Sequence, residues 1–321
     1  MTTPEHTITL NAFVPEDLHG LRLDQALARL FPEHSRSRLK TWNENKHVQV
    51  NHQYLRAKDK IAAGQYIHIN ATLPVATDWQ PQNMQLSVVY ADTSLIIVNK
   101  PIGQVVHPAA GNPDNTLVNA LLHFDPSLAS LPRAGIVHRL DKDTSGLLVI
   151  ARNLCAHTHL INQMQTHAVT REYIAIVNGT LTGGGTIAEP IGRHPTQRTH
   201  MAVVASGKPA ITHYRINERF PAHTCINVML ETGRTHQIRV HMAYIGHPLL
   251  GDQTYGGRLK IPAQCSDNLK QCLQAFKRQA LHAKKLTLTH PETNELMSWE
   301  TELPDDLETL LNYLREHKNS A

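Results

Sequence analysis

Cysteine is sparse in this chain. The four present, Cys155, Cys225, Cys265 and Cys272, show no CxxC spacing. That excludes a zinc ribbon or a thioredoxin-like redox pair and reads as reduced thiols. Long apolar runs are missing too. The longest, such as Ser94-Leu-Ile-Ile-Val98 and Gly146-Leu-Leu-Val-Ile-Ala151, are far short of a membrane span of about 20 residues. The opening Met1-Thr-Thr-Pro-Glu-His6 has neither a basic n-region nor an apolar h-region, so a cytoplasmic protein without a secretory signal is expected. No GxGxxG or Walker-type loop is present, which argues against a nucleotide cofactor. No internal repeat or long low-complexity stretch occurs.

What is there belongs to an ordinary globular chain. Hydrophobic residues make up 41% and charged residues 18% of its 321 residues, enough apolar material for a core without disulfide or metal staples. A prior of about 150 residues per domain suggests two domains. The net charge of +4 is unevenly spread. Residues 1–19 carry three acids and no Lys or Arg, whereas residues 20–72 carry nine Lys or Arg against four acids. A compact basic segment points to a polyanion, most simply nucleic acid. Charge alone is equally consistent with a solvated surface.

The basic segment reads as a small helix-plus-strand unit. Leu21, Leu23, Leu27 and Leu30 recur at helical spacing. After Pro32, Ser35 is a suitable N-cap for a second helix bearing Arg36, Arg38 and Lys40. These three cations would meet successive phosphates from one helix. Val48-Gln-Val50 alternates as a strand, and Asn51-His52 supplies a left-handed turn. Residues 73–85, with two prolines and no clear period, read as a linker. Beyond it, β-branched runs at 87–90, 96–98, 147–150 and 173–177 alternate with helical patterns at 115–123, 154–166 and 305–317. This is the signature of an α+β domain with a large, mostly antiparallel sheet.

The densest polar cluster is Ile136-Val-His-Arg-Leu-Asp-Lys-Asp-Thr-Ser-Gly146. It places Asp141 in a loop entering an apolar strand, where reactive groups are often carried. Arg139 and Lys142 nearby favour its charged form, as a nucleophile or base needs. A plain turn in which Asp and Ser cap backbone amides has the same sequence. A calcium loop is excluded because its twelfth position falls on Arg152. A phosphatase Asp-x-Asp fits poorly, because His138-Arg139 interrupts the apolar strand it requires and Gly251-Asp-Gln-Thr-Tyr-Gly256 does not match the later magnesium motif.

Arg171-Glu-Tyr-Ile-Ala-Ile-Val177 alternates as a strand with Tyr173 on one face. On its own, Tyr173 reads as a core aromatic. Glu231-Thr-Gly-Arg-Thr-His-Gln-Ile-Arg-Val-His241 reads as a tight turn followed by a strand, with Arg239 and His241 facing away from the core. Arg234, beside Gly233, is placed to pair with a carboxylate or phosphate. Twenty-two histidines invite a metal reading, but His157-Thr-His159 and His236 with His241 give no strong ligand motif.

Taken together, these motifs resemble the RluA-type pseudouridine synthases over nearly the whole chain. His138-Arg-Leu-Asp-Lys-Asp-Thr-Ser-Gly146 looks like the family signature, and Arg171-Glu-Tyr173 and Glu231-Thr-Gly-Arg-Thr-His-Gln-Ile-Arg239 look like its second and third motifs. Val106-His-Pro-Ala-Ala-Gly-Asn-Pro113 and Ile191-Gly-Arg-His-Pro195 resemble the branch acting on large-subunit ribosomal RNA. Asn51-His52 departs mildly from the Asn-Gly often found at that turn. The resemblance implies a pseudouridine-synthase fold over residues 86–321 and an alpha-L RNA-binding domain over 18–72, with the linker at 73–85 between them. It implies conversion of uridine to pseudouridine without cofactor or metal. Asp141 would be the catalytic carboxylate, with Tyr173 against the uracil, Arg234 paired to Asp141 and Arg139 helping to extrude the base. Arg36, Arg38 and Lys40 would bind RNA. The implied partner of this monomer is 23S ribosomal RNA or a large-subunit precursor, at the helix 69 stem-loop, with no membrane. The alternatives are a sister enzyme acting on other large-subunit uridines and a non-catalytic ribosome-assembly factor.

Overall fold

The computed structural model describes residues 6–32, 34, 36–73, 79–108, 111–197 and 199–320. Its first hydrophobic core is drawn from Val14 to Ala71. Strand β1 (His6–Phe13) is followed by helices α1 (Leu23–Leu30) and α2 (Arg36–Glu44), then by β2 (Val48–Val50) and β3 (Tyr66–Leu73). The leucine spacing works as expected, with Leu23, Ala26 and Leu27 buried on one face of α1. Asn51 and His52 both take left-handed φ angles of 47° and 64° at the turn. The sheet order is β1-β3-β2. β1 pairs antiparallel with β3 from His6↔Leu73 to Phe13↔Tyr66. The small unit therefore begins before residue 18, and the boundary expected there is corrected. The expected Ser35 cap lies outside the described residues.

Part of the expected linker, residues 74–78, also lies outside them. Beyond it, Trp79 and Leu86 already pack on the second core. Asn119 donates to the Gln80 carbonyl at 2.8 Å, and the Asn115 amide donates to the Gln82 side chain at 2.7 Å. Residues 79–85 thus belong to the larger unit, because polar side chains there satisfy the backbone around a helix start.

The larger unit runs β4 (Val88–Ala91), β5 (Leu95–Lys100), α3 (Leu117–Phe124), β6 (Ser145–Ala151), α4 (Leu154–Gln165), β7 (Thr170–Asn178), β8 (Gly185–Ala188), β9 (Ile191–Arg193) and β10 (Met201–Val203). It continues with β11 (Ile211–Arg219), β12 (His223–Leu230), α5 (Gln237–Tyr244), α6 (Asp267–Ala275), β13 (Leu281–Thr289), β14 (Leu296–Glu300) and α7 (Asp305–Ser320). Nine strands form one sheet in the order β4-β5-β6-β13-β7-β12-β11-β8, with β14 on β13. Its strands pair antiparallel except β6 with β13, where His282 meets Ser145 and Ala283 meets Gly146. At Gly146, with φ of 113°, an added Cβ would lie 2.2 Å from the Ala283 carbonyl oxygen. Only glycine permits that approach.

Strand β7 shows how the sheet separates its two faces. Tyr173, Ala175 and Val177 join the core covered by α3 and α5, while Ile174 and Ile176 join the opposite layer with α6 and α7. Leu307, Leu310, Leu311 and Leu314 of α7 are all buried in that layer. Burying such a side chain stabilises by about 1.5–3 kcal/mol, so the far layer anchors the strands from that side.

Candidate active site

Asp141 stands in the turn that leads into β6, closed by a hydrogen bond from the Thr144 amide to the Asp141 carbonyl at 3.1 Å. The turn is held from beneath. Lys100, fully buried at the end of β5, donates from Nζ to the carbonyls of Pro101, Gln104 and Lys142 at 2.8, 3.0 and 3.0 Å. Burial lowers the Lys100 pKa to about 7, against the opposing pull of Asp143 and Asp141. Three carbonyls for three N–H donors leave this ammonium no further bond to make. Gln279 Nε2 donates to Thr144 Oγ1 at 3.0 Å, and Ser145 Oγ meets His282 Nδ1 at 2.9 Å.

The segment expected to be a strand after Gly233 is instead helix α5, and it supplies the partner of Asp141. Gln237 fixes the turn before it. Its Oε1 accepts from Thr232 Oγ1 and the Arg234 amide at 2.8 and 2.9 Å, and its Nε2 donates to Ile211 O and Thr212 Oγ1 at 3.0 Å each. His236 enters the helix in a left-handed conformation, φ 57°. Arg239 and His241, expected to face away from the core, are both buried.

Arg239 Nη1 donates to Asp141 Oδ2 at 3.0 Å. Its Nε and Nη2 grip both oxygens of Asp252 at 2.7 and 2.9 Å. Asp252, whose side chain is wholly buried, also accepts from the amides of Thr254 and Tyr255 at 2.8 and 3.0 Å. The guanidinium lies 5.0 Å from the centroid of the Tyr255 ring. Burial opposes each of these charges, yet mutual pairing wins. The Arg239 pKa stays above its ordinary value and that of Asp252 below it. The effect is to fix one oxygen of Asp141 and leave the other outside the clamp.

That other oxygen, Oδ1, lies 3.9 Å from His236 Nε2. The opposite ring nitrogen of His236 is within 2.9 Å of the Tyr255 hydroxyl, which accepts from the Met201 amide at 2.9 Å. Burial lowers the His236 pKa, with Asp141 opposing and Arg239 assisting. Tyr173 shares this face of the sheet. Burial raises its pKa, Arg171 pulls it down and Asp141 pushes it up, so it is a neutral phenol near pH 7.

Arg234 is not the partner of Asp141. Its Nε donates to the Pro209 carbonyl at 3.0 Å, because the helical turn separates residues 234 and 239 and sends the earlier arginine along the loop before β11. Arg139 is exposed beside Asp141, and its charge reaches His107, where burial followed by Arg133 and Arg139 lowers the imidazole pKa to about 4. Arg36 and Lys40 are exposed one helical turn apart on α2, whereas Arg38 is half-buried. A two-residue step turns a helix by about 200°, so the three cations expected to share one phosphate track divide between two faces. His241, a candidate ligand by its spacing from His236, is hydrogen-bonded to Thr212 Oγ1 and the Glu189 carbonyl at 2.8 and 2.9 Å. Among the described residues no group of three or more His, Cys, Asp or Glu is placed to hold a metal.

Sequence reasoning missed Arg239, Asp252, His236, Tyr255 and Lys100. A helical reading of 236–242 would have put His236 and Arg239 three apart on one face. Asp252 and Tyr255 lie in Gly251-Asp-Gln-Thr-Tyr-Gly256, a stretch whose spacing suggests only a poor magnesium motif.

This geometry, a carboxylate clamped by a buried guanidinium beside a tyrosine on an inner sheet face, can be set beside the proteins the chain is similar to. A family model described as RNA pseudouridylate synthase matches residues 94–244. The ribosomal large subunit pseudouridine synthase D of Haemophilus ducreyi is 54% identical over 309 residues, covering 96% of this chain and 95% of that one. The protein of the same name from Escherichia coli K12 is 51% identical over 319 residues, covering 98% of each. Among solved structures, human RNA pseudouridylate synthase domain containing 1 aligns with a TM-score of 0.53 at 27% identity, over 73% of this chain and 96% of that one. Human domain containing 4 aligns with a TM-score of 0.55 at 22% identity, over 71% and 93%, and shows the shared fold. The chain belongs to the RNA pseudouridine synthase family and is an RNA pseudouridine synthase.

Proposed function

We propose that this enzyme isomerises uridines of 23S ribosomal RNA, in the helix 69 stem-loop, during maturation of the large subunit. The N1–C1′ bond breaks, the uracil turns, and C5 bonds to C1′, with no cofactor. Asp141 is the catalytic carboxylate, and the observation that carries this role is its fixed bond to Arg239, itself locked by Asp252. Arg239 takes the positioning role expected of Arg234. Tyr173 lies against the uracil, and Arg139, exposed at the mouth, helps extrude the base. Extrusion is needed because a stacked base hides its glycosidic bond, and unstacking costs a few kcal/mol, least in a loop. The large-subunit target is supported by the names of relatives more than 50% identical over nearly the full chain. The helix 69 site rests on the resemblance of the stretches around His107 and His194.

The basic small unit, as an alpha-L-type RNA-binding domain, holds phosphates through Arg36 and Lys40, and the enzyme acts as a monomer. The test is a map of pseudouridine in ribosomal RNA from a strain lacking the gene. Loss confined to helix 69, restored by the wild-type gene but not by Asp141→Asn, is expected. Loss at other large-subunit uridines with helix 69 intact overturns the assignment.

A further inference from the structure

Among the described residues of the large unit, four long cationic side chains are buried: Lys100, Arg171, Arg239 and Arg278. Three are fully engaged. Lys100 donates to three carbonyls, Arg239 to two carboxylates, and Arg278 grips both oxygens of Asp306 at 2.6 and 2.8 Å. Arg171 differs. It is 7% exposed, and among the described residues its buried Nε has no partner and its hydrogen bonding is a single long contact from Nη2 to the Glu231 carbonyl at 3.4 Å. No ion pair among the described residues includes it: Glu172 faces Lys285 and Glu231 faces His213. A buried guanidinium without an anion carries a large desolvation penalty, and such a group is retained where something else completes it.

Its position says what. Arg171 lies two residues before Tyr173 on β7, and a period of two puts both side chains on the same sheet face. Its Nη1 lies over Gly233, so close that an added Cβ there would be 2.7 Å away. Gly233 opens the turn into α5, the helix carrying His236 and Arg239. The Arg171 charge acts on the buried Tyr173 hydroxyl and on His138. The reaction needs a cation there. When the C1′–N1 bond breaks heterolytically, its electron pair leaves with the uracil, which becomes an anion until C5 bonds to C1′. The Asp141–Arg239–Asp252 cluster has a formal charge of −1, the wrong sign to stabilise it.

We propose that Arg171 is a further catalytic residue, whose unfilled guanidinium donors bind the departing uracil and stabilise the negative charge on it. The bond pair released from C1′ stays on the base, stabilised by Arg171, and returns as the C5–C1′ bond. The C5 proton is then lost and N1 gains one, so atoms and charge balance. This inference rests on Asp141 and Tyr173 marking the uracil site.

The test compares uridine with 5-fluorouridine in a stem-loop RNA, with enzyme in excess and nucleosides read by mass spectrometry. Fluorine at C5 withdraws electrons and stabilises the departing base, so that substrate depends less on an external cation. Arg171→Gln is expected to slow conversion of uridine at least 100-fold, but glycosidic rearrangement of 5-fluorouridine no more than 10-fold. Its RNA dissociation constant should stay within threefold of wild type. Equal slowing of both substrates overturns the proposal in favour of a structural role. Weakened RNA binding with an unchanged rate at saturation overturns it in favour of a phosphate contact. Gly233→Ala, which displaces the guanidinium while keeping its charge, is a second variant should Arg171→Gln fail to fold, and is expected to show the same selective loss. Asp141→Asn in the same assay tests the site reading separately: activity there would remove the uracil site itself, whatever Arg171 does.

Discussion

In the small N-terminal unit the charges stand in water. Lys40 and Glu44 approach to 3.6 Å on α2 with side chains 62% and 58% exposed, and Arg56 pairs with Asp59 in a turn with its side chain 74% exposed. In the large unit the decisive charges are inside. The side chains of Arg239 and Asp252 are 8% and 0% exposed, and Lys100 is wholly enclosed. Exposed pairs are screened and contribute about 0–1 kcal/mol, whereas removing one partner of a buried pair costs about 3–5 kcal/mol. The small unit therefore presents cations to solvent at little internal cost. The large unit is committed to one arrangement, and that arrangement aims a carboxylate.

The largest expected break in this comparison is at the carboxylate itself. Asp141→Asn removes the carboxylate proposed to react but keeps its shape, and should lower single-turnover pseudouridine formation on the order of 10³-fold or more. RNA affinity, which we assign mainly to surface cations, should stay within a few-fold. An active Asn variant in the pseudouridine assay would sink the assignment.

Asp252→Asn comes next, because it leaves Arg239 buried with half its partners. Stability is expected to fall by about 3–5 kcal/mol in urea unfolding, and activity to fall with it as Arg239 loosens from Asp141. The pH dependence has a definite sign. The Asp252 pKa is lowered in the fold despite burial. Its contribution is present above the ordinary carboxylate value near 3.9 and is lost as pH falls through the lowered folded value. The Asn variant should lose less stability than wild type in that acid window; an unchanged acid limb would show that the pair is not what holds the cluster.

Lys100→Met tests a buried charge of opposite sign. Burial lowers the Lys100 pKa to about 7, while an unfolded lysine titrates near 10.4. Between these values the unfolded chain binds more protons, so stability rises with pH across the window. The Met variant should flatten that rise, a difference of a few kcal/mol at most, since the three carbonyls partly offset burial. It should also lower activity by freeing the Lys142 carbonyl next to Asp141. A slope identical to wild type would assign the titration elsewhere.

How much of this is legible in the sequence differs between the two units. Local periodicity locates α1, α4 and α7 closely, because their apolar faces repeat within a few residues. The motif around Asp141 is legible as chemistry because Asp, Arg and Lys crowd a loop before an apolar strand. What cannot be read locally is the pairing across 98 residues between Asp141 and Arg239. Ile238, Val240 and Met242 alternate well enough to suggest a strand, and a strand turns Arg239 to the wrong face and hands its role to Arg234. The side chain of Gln237 decides the matter by tying the turn to β11, a tertiary interaction that a period of two cannot register. β1 escapes notice for the same reason, since its partner β3 lies some 60 residues away.

The smallest effect is expected in the small unit. Replacing Arg36 and Lys40 with Ala removes two exposed cations on one face of α2 and disturbs no buried partner. Stability should change by no more than about 0.5 kcal/mol, the scale of a helical surface pair. Turnover of saturating RNA should be unchanged, because neither residue touches the Asp141 cluster. RNA affinity should fall, and the slope of log affinity against log salt should shrink by about 0.7–0.9 for each phosphate no longer neutralised. Arg38→Ala, half-buried on the other side of the helix, should instead lower stability more than it changes the slope. If the paired variant leaves the salt slope intact, the exposed face of α2 does not hold RNA phosphates. If it slows the chemistry at saturation, the two regions are not separable in the way their charges are arranged.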